Sequence, residues 1–223
     1  MDLSQNLKNV KLKIDSAAKR AGRDPSSVKL IVVTKEADTE AIEKVVELGV
    51  QDLAENYAQQ LLQKSKVIKN VHWHFIGRIQ TNKIKYIVPI CEYIHSVCRK
   101  EELIIVNKIA SQHYKTQKVL IEINISHEET KSGIDQSQLE EILKFGSSLK
   151  NIKIVGLMTM APFTEDFEQI RLIFRELRKL RDFHRKVYPE LYHLSMGMTN
   201  DFEIAVEEGA TMVRIGRAIF KGE

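Results

Sequence analysis

Along the chain, short uninterrupted apolar runs alternate with longer stretches in which apolar residues return every three or four positions. The runs fall near 29–35, 50–54, 71–77, 93–97, 118–124, 152–160, 191–196 and 211–215. The first, Lys29-Leu30-Ile31-Val32-Val33-Thr34-Lys35, is short and β-branched, the pattern of a strand covered on both faces. The stretches 38–48, 101–113, 135–149 and 167–187 carry helical spacing. A further helical stripe, Leu3, Leu7, Val10 and Ile14, precedes the first strand and is closed by Gly22. Glu36-Ala37-Asp38-Thr39 offers an N-cap to the helix that follows the first strand. Strand–helix alternation with short connections predicts parallel strands joined by right-handed crossovers.

About eight such units predict a closed (β/α)8 TIM-type barrel with an extra N-terminal helix. The competitor, an open doubly wound sheet, calls for a glycine-rich turn after the first strand, and 33–38 contains no glycine. With four prolines and no low-complexity linker, residues 1–223 are expected to form a single domain, with no second domain after Phe220-Lys221-Gly222-Glu223.

Composition narrows the class. The 223 residues are 43% apolar and 29% charged, which fits a soluble globular protein. No apolar run reaches the roughly 18 residues of a membrane span, and the N-terminus lacks the apolar core of a signal peptide. A cytoplasmic protein without a membrane partner is therefore expected. Cys91 and Cys98 are expected to be reduced thiols. The net charge is a mild +4. The densest basic stretch runs from Arg171 to Lys186, diluted by Glu176 and Asp182, and reads as the wet face of one helix. Nucleic acid is not an expected partner.

In a parallel barrel, chemistry collects where the strands end. Lys35 stands at such an end, where an amine partly out of water gains neutral, nucleophilic character; a side chain that snorkels into solvent is the alternative. Ser195-Met196-Gly197-Met198-Thr199 ends another run and precedes a helix from Phe202 to Glu208. Its free N–H groups and the Thr199 hydroxyl suit an anion. Gly216-Arg217-Ala218 does the same after the last strand. Arg214 lies two residues before Gly216, hence on the same face; if that face is the barrel interior, a fixed cation lies deep in the pocket. An amine that traps electrophiles, a phosphate cup and a buried cation together suit pyridoxal phosphate.

Other residues are less specific. His72 and His74 point the same way, but no third ligand at metal spacing joins them. His95 ends a strand without an evident acidic partner and reads as a core histidine. Trp73 and Phe75 face away from the histidines into core. Met158, Met160, Met196 and Met198 either pad a flat ring or simply pack.

The segments Val33-Thr34-Lys35, Ala54-Glu55-Asn56-Tyr57, His72-Trp73-His74-Phe75-Ile76-Gly77, Gln80-Thr81-Asn82-Lys83, Lys131-Ser132-Gly133, Gly156-Leu157-Met158-Thr159-Met160, Leu194-Ser195-Met196-Gly197-Met198-Thr199 and Val213-Arg214-Ile215-Gly216 run in order along the chain. They resemble the pyridoxal phosphate homeostasis protein (YggS/PROSC) family, similar in fold to the N-terminal barrel of alanine racemase. The resemblance implies that Lys35 holds pyridoxal 5'-phosphate as an internal aldimine and that Arg214 faces the pyridine nitrogen. It implies a phosphate cup of Ser195, Thr199 and the backbone of Gly216 and Arg217, with Asn56 near the ring. Many relatives carry a small hydroxyl residue where Arg217 stands. It further implies a carrier and regulator of the vitamin B6 cofactor without catalytic turnover, with pyridoxal phosphate-dependent apoenzymes as candidate partners. A monomer is expected. A PLP-dependent amino-acid racemase or lyase is the alternative. Against it, an arginine at the ring nitrogen weakens the electron sink, and Lys35 serves only one face of a substrate carbon.

Overall fold

In the computed structural model, which describes residues 2–126 and 132–222, parallel strands pair in sequence order and close on themselves. The strands are β1 (Lys29–Val33), β2 (Asp52–Glu55), β3 (His72–Phe75), β4 (Cys91–Val97), β5 (Gln117–Glu122), β6 (Ile152–Met158), β7 (His193–Ser195) and β8 (Met212–Ile215). Closure comes from β1 lying parallel to β8, with Ile31 opposite Arg214 and Val32 opposite Ile215. The open-sheet alternative is thereby excluded. Lys131, in one of the recognised segments, lies outside the described residues.

Helices α1 (Leu3–Arg20), α2 (Thr39–Glu47), α3 (Ala58–Val67), α4 (Ile84–Ile87), α5 (Lys100–Gln112), α6 (Leu139–Ser147), α7 (Phe167–His184), α8 (Phe202–Glu207) and α9 (Arg217–Phe220) accompany the strands. Local chemistry sets their ends. Asp2 accepts from Ser4 N at 3.0 Å, and Asp38 accepts from Ala41 N at 2.8 Å. Gly22 closes the N-terminal helix at φ +66°, a conformation that glycine adopts without cost. That helix buries Leu7, Val10, Ile14, Ala17 and Ala18 and packs on α8 and α9. Asn6 Nδ2 donates to Ile219 O at 3.0 Å, tying the first helix to the last.

The alternation of side chains along the strands, interrupted where β4 and β6 shift register, divides the core into two shells. Outward residues such as Val32, Leu53, Trp73, Phe75, Ile121, Leu157 and Val213 join the helices in the larger apolar cluster. Inward residues Ile31, Ala54, Tyr93, Leu120, Val155, Met158 and Met212 form a smaller one inside the barrel. The inner shell is not wholly apolar, because His74, His95 and Arg214 are also buried.

The basic face of α7 is not simply wet. Arg171 reaches Glu207 at 2.8 Å and Glu208 at 3.2 Å, Arg175 reaches Glu208 at 2.9 Å, and Arg178 reaches it at 3.4 Å. These arginines pin one crossover helix to the next. Cys91 and Cys98 are free thiols, and burial pushes Cys98 up to about 11. Among the described residues, no helix is long and apolar enough to cross a membrane.

Burial alone would push the Glu208 carboxyl up, but hydrogen bonds from Arg175 and Arg171 outweigh it and hold the group below its ordinary value. A carboxyl depressed in the folded state contributes stability above its unfolded pKa of about 4.3 and loses it as pH falls through the folded value. Glu208→Gln should therefore cost about 1 kcal/mol at pH 7, a modest figure because the arginines lie near the surface. In urea unfolding, the gap to wild type should close below about pH 4.

Candidate functional site

The C-terminal ends of β1, β2, β3, β6, β7 and β8 enclose a cavity of about 360 Å³. Lys35, Asn56, Thr199, Arg214, Gly216 and Arg217 all line it. Residues distant in sequence and singled out separately thus meet in one place. Val33, Ile76, Met158, Met160 and Met198 supply apolar wall, and Phe163 stands exposed at the mouth. Met196, in contrast, is buried in the outer core.

The structure corrects the setting expected of Lys35. The first strand stops at Val33, so Lys35 lies in the following turn, and its side chain is 46% exposed. Its amine is 3.8 Å from Glu36. What is buried is the frame beneath it. Thr34 N donates to Ala54 O at 2.9 Å, and Thr34 Oγ1 donates to Glu55 Oε1 at 2.7 Å. Lys64 Nζ donates to Thr34 O and to Glu55 Oε1, each at 2.6 Å. Asn56 N donates to Glu55 Oε2 at 3.1 Å. The fully buried Glu55 carboxylate therefore joins the turn that carries Lys35 to the turn that carries Asn56. The amine of Lys35 is thus half-exposed above a turn whose backbone is fixed by buried hydrogen bonds.

Arg214 is the inward cation, and it is buried. Its Nη1 donates to Ser195 Oγ at 2.6 Å and its Nη2 to Thr159 O at 3.1 Å. Burial pushes its pKa down to about 10, opposed by the charges of Asp201 and Glu122, so it stays protonated at pH 7. Glu122 faces the converse situation: burial raises its carboxyl to about 7, an effect that Arg214 opposes.

Two turns supply an anion cradle. Gly197 has φ +94°, and a Cβ there would lie 2.6 Å from Ala205 Cβ and 2.9 Å from Phe202 Cα, so only glycine fits. Asp201 accepts from Met198 N at 2.5 Å and folds the turn back. A Cβ on Gly216 would lie 2.9 Å from Val33 O, so glycine is what lets the end of β8 approach β1. Ala218 N donates to Thr199 Oγ1 at 3.4 Å, joining the two turns. The N–H groups of Thr199, Asn200 and Arg217 make no hydrogen bond among the described residues. Unspent donors converging from two turns form a nest for an anion. The helix behind this nest ends at Glu207 and has six residues, so the exposed N–H groups matter more than its dipole.

Ser195 is placed differently from the expectation. It is fully buried and does not line the cavity. Its hydroxyl lies between Arg214 and His95, where it supports the guanidinium. Sequence reading also missed the setting of His74 and His95, which lie inside the barrel in contact at 2.8 Å. The inward parity of His72 and His74 was the available signal. Both approach Asp52, His72 at 3.5 Å and His74 at 3.0 Å.

Asn56 provides a test of fit. Its Oδ1 is buried and has no hydrogen-bond partner among the described residues, although the residue lines the cavity. A buried polar atom left unpaired costs about 1–3 kcal/mol, which a polar ligand in the cavity would remove. The residues present thus offer an amine, a fixed cation, an anion nest and an orphaned oxygen around one space, the complement of a phosphorylated pyridine aldehyde.

The alanine racemase N-terminal domain family matches residues 5–223. The pyridoxal phosphate homeostasis protein of Aquifex aeolicus is 42% identical over 223 residues, covering 99% of this chain and 98% of that protein. The Escherichia coli pyridoxal phosphate homeostasis protein is 34% identical over 225 residues, covering 98% and 96%. Among solved structures, PipY of Synechococcus elongatus with PLP bound superposes with a TM-score of 0.86 at 27% identity, covering 98% of this chain and 100% of PipY.

Lys64→Met would leave the Glu55 carboxylate buried without its cation. It should destabilise the protein by about 3 kcal/mol, as breaking one side of a buried pair does. The same substitution should raise hydrogen exchange at Thr34 and Lys35. Chemical unfolding and exchange mass spectrometry on the full chain check both.

Proposed function

The chain belongs to the pyridoxal phosphate homeostasis protein family, and on that premise we propose that its cavity holds pyridoxal 5'-phosphate on Lys35 for storage and delivery, without catalytic turnover. The observation that carries this reading is the meeting of the Lys35 amine, the Arg214 guanidinium and the unspent N–H groups of Thr199, Asn200 and Arg217 around one space. Pyridoxal phosphate, when bound, brings an aldehyde that condenses with an amine and a ring that accepts electrons.

The chain's own residues divide the work. Lys35, half-exposed at the cavity wall, supplies the amine. Thr199, Gly216 and Arg217 take the phosphate, the glycine by close backbone approach and the arginine by charge. Arg217 adds a side-chain cation to the free N–H of its backbone. Arg214, permanently charged, donates toward the ring nitrogen and discourages its protonation, which weakens the electron sink. Asn56 gains the partner that its oxygen lacks, and Met158, Met160 and Met198 flank the ring.

Holding is favoured over turnover by the same lining. Racemisation needs a second base across the substrate carbon from the lysine. The acids lining the cavity among the described residues are Glu36 and Asp201. Glu36 is 2.7 Å from Lys221, and Asp201 is spent on the Met198 amide. We infer a single-domain, monomeric, cytoplasmic carrier, its free thiols suiting a reducing compartment, with apoenzymes that use the cofactor as its partners.

Added pyridoxal phosphate should give the purified protein an absorbance band near ~420 nm, as a lysine condensed with the aldehyde does. Lys35→Ala should abolish the band. Its persistence in that variant would assign the cofactor to another lysine, and α-proton exchange of an amino acid in heavy water would show turnover instead.

A further inference from the structure

Inside the barrel, polar side chains from six strands form one continuous line. Lys29 Nζ lies 2.8 Å from Asp52 Oδ1, which lies 3.0 Å from His74 Nε2. His74 Nδ1 lies 2.8 Å from His95 Nε2, and His95 Nδ1 lies 2.8 Å from Ser195 Oγ. Ser195 Oγ then accepts from Arg214 Nη1 at 2.6 Å. His74, His95 and Ser195 are fully buried. The Arg214 end borders the cavity that contains Lys35, and the Lys29–Asp52 end borders a second cavity at the strand N-termini.

The chemistry of the two ends fixes the direction of every bond between them. A guanidinium only donates, so the serine oxygen accepts from it. An ionised carboxylate only accepts, so His74 Nε2 carries the proton that points at Asp52. A neutral imidazole has one N–H, which leaves His74 Nδ1 bare and requires His95 Nε2 to donate to it. His95 Nδ1 is then bare and accepts the hydrogen bond that the Ser195 hydroxyl donates. Each donor finds one acceptor along the line. The opposite tautomers would set the His74 Nε2 lone pair against the Asp52 carboxylate.

Two further features hold this state. Tyr93 stacks on His74 with ring centres 4.8 Å apart and planes within 7°, which fixes the plane of the imidazole. Burial pushes both imidazoles below their ordinary value, His95 well below, and so keeps them neutral. Burial also works against Asp52, but bonds from His74 and Lys29 outweigh it and hold that carboxyl down.

We propose that Asp52, His74, His95 and Ser195 are positioning residues of the cofactor site: a one-way hydrogen-bond line that locks the rotation of the Arg214 guanidinium and leaves its remaining N–H groups to the ligand. Thr159 O, accepting from Nη2, is the second stop. Two of the five guanidinium N–H groups are thereby committed to the protein. Aligned bonds polarise one another, so the serine oxygen is a stronger acceptor than an isolated hydroxyl. Position 95 needs a group that accepts at one end and donates at the other. Glutamine meets that need and leucine does not.

The identity of the ligand rests on the function proposed above, but the line itself does not. The test therefore begins on the unliganded full-length protein. Side-chain nitrogen NMR at pH 7 should show His74 and His95 both neutral, each with its proton on Nε2. A proton on Nδ1 of either ring, or a doubly protonated ring, overturns the proposal. His95→Leu should speed exchange of the Arg214 guanidinium protons by at least about tenfold, and His95→Gln should restore slow exchange, because only the glutamine can continue the line. Equal exchange in the leucine variant and wild type overturns the proposal. If the leucine variant does not fold, failure of glutamine to keep slow exchange overturns it. Pyridoxal phosphate titration should then show affinity weakened about tenfold by leucine and kept within about threefold by glutamine, a difference of about 1.4 kcal/mol per decade. Absence of cofactor binding in wild type would defeat the functional reading while the NMR result stands by itself.

Discussion

A guanidinium inside the barrel is the constraint around which the site is arranged. Arg214 cannot shed its proton at neutral pH, so burial obliges the protein to replace the water it loses. Ser195 Oγ and Thr159 O do so directly. The oxygen of Ser195 is in turn oriented by His95, and His95 by His74, so one buried charge recruits residues across the barrel. Asp52 and Arg214 bear opposite charges at the two ends of that line. A barrel interior filled only with Val, Ile and Leu would hold the strands equally well and would leave the arginine without support.

The lysine side of the cavity follows a different rule. There the charge to be satisfied is Glu55, and Lys64, Thr34 and the Asn56 amide gather around it. The result is a rigid turn beneath an exposed amine. One wall thus sets a half-exposed amine on a buried, hydrogen-bonded turn, whereas on the opposite wall Arg214 is buried and held by Ser195 and Thr159. The anion nest between them is made of backbone, so its position is set by how closely β8 approaches β1, and Gly216 permits that approach.

The chemistry of exposed charges is equally specific. Arg171, Arg175 and Arg178 form a basic stripe on α7, and their partners Glu207 and Glu208 end the neighbouring helix. A stripe that reads as a solvated face in sequence is a helix–helix clamp in three dimensions.

By itself the sequence determined the barrel, because runs of Val and Ile of strand length alternate with helical stripes, and local pattern suffices for that. It also marked residues that share one cavity, since Lys35, Asn56, Thr199, Arg214 and Gly216 each stand near where an apolar run ends. Tertiary structure alone decided that Ser195 supports Arg214 rather than lining the cavity, that Lys35 is exposed above a buried frame, and that His74 meets His95. Those outcomes depend on how neighbouring strands are staggered as the barrel closes. Stagger is a property of the closed sheet, and no single segment encodes it.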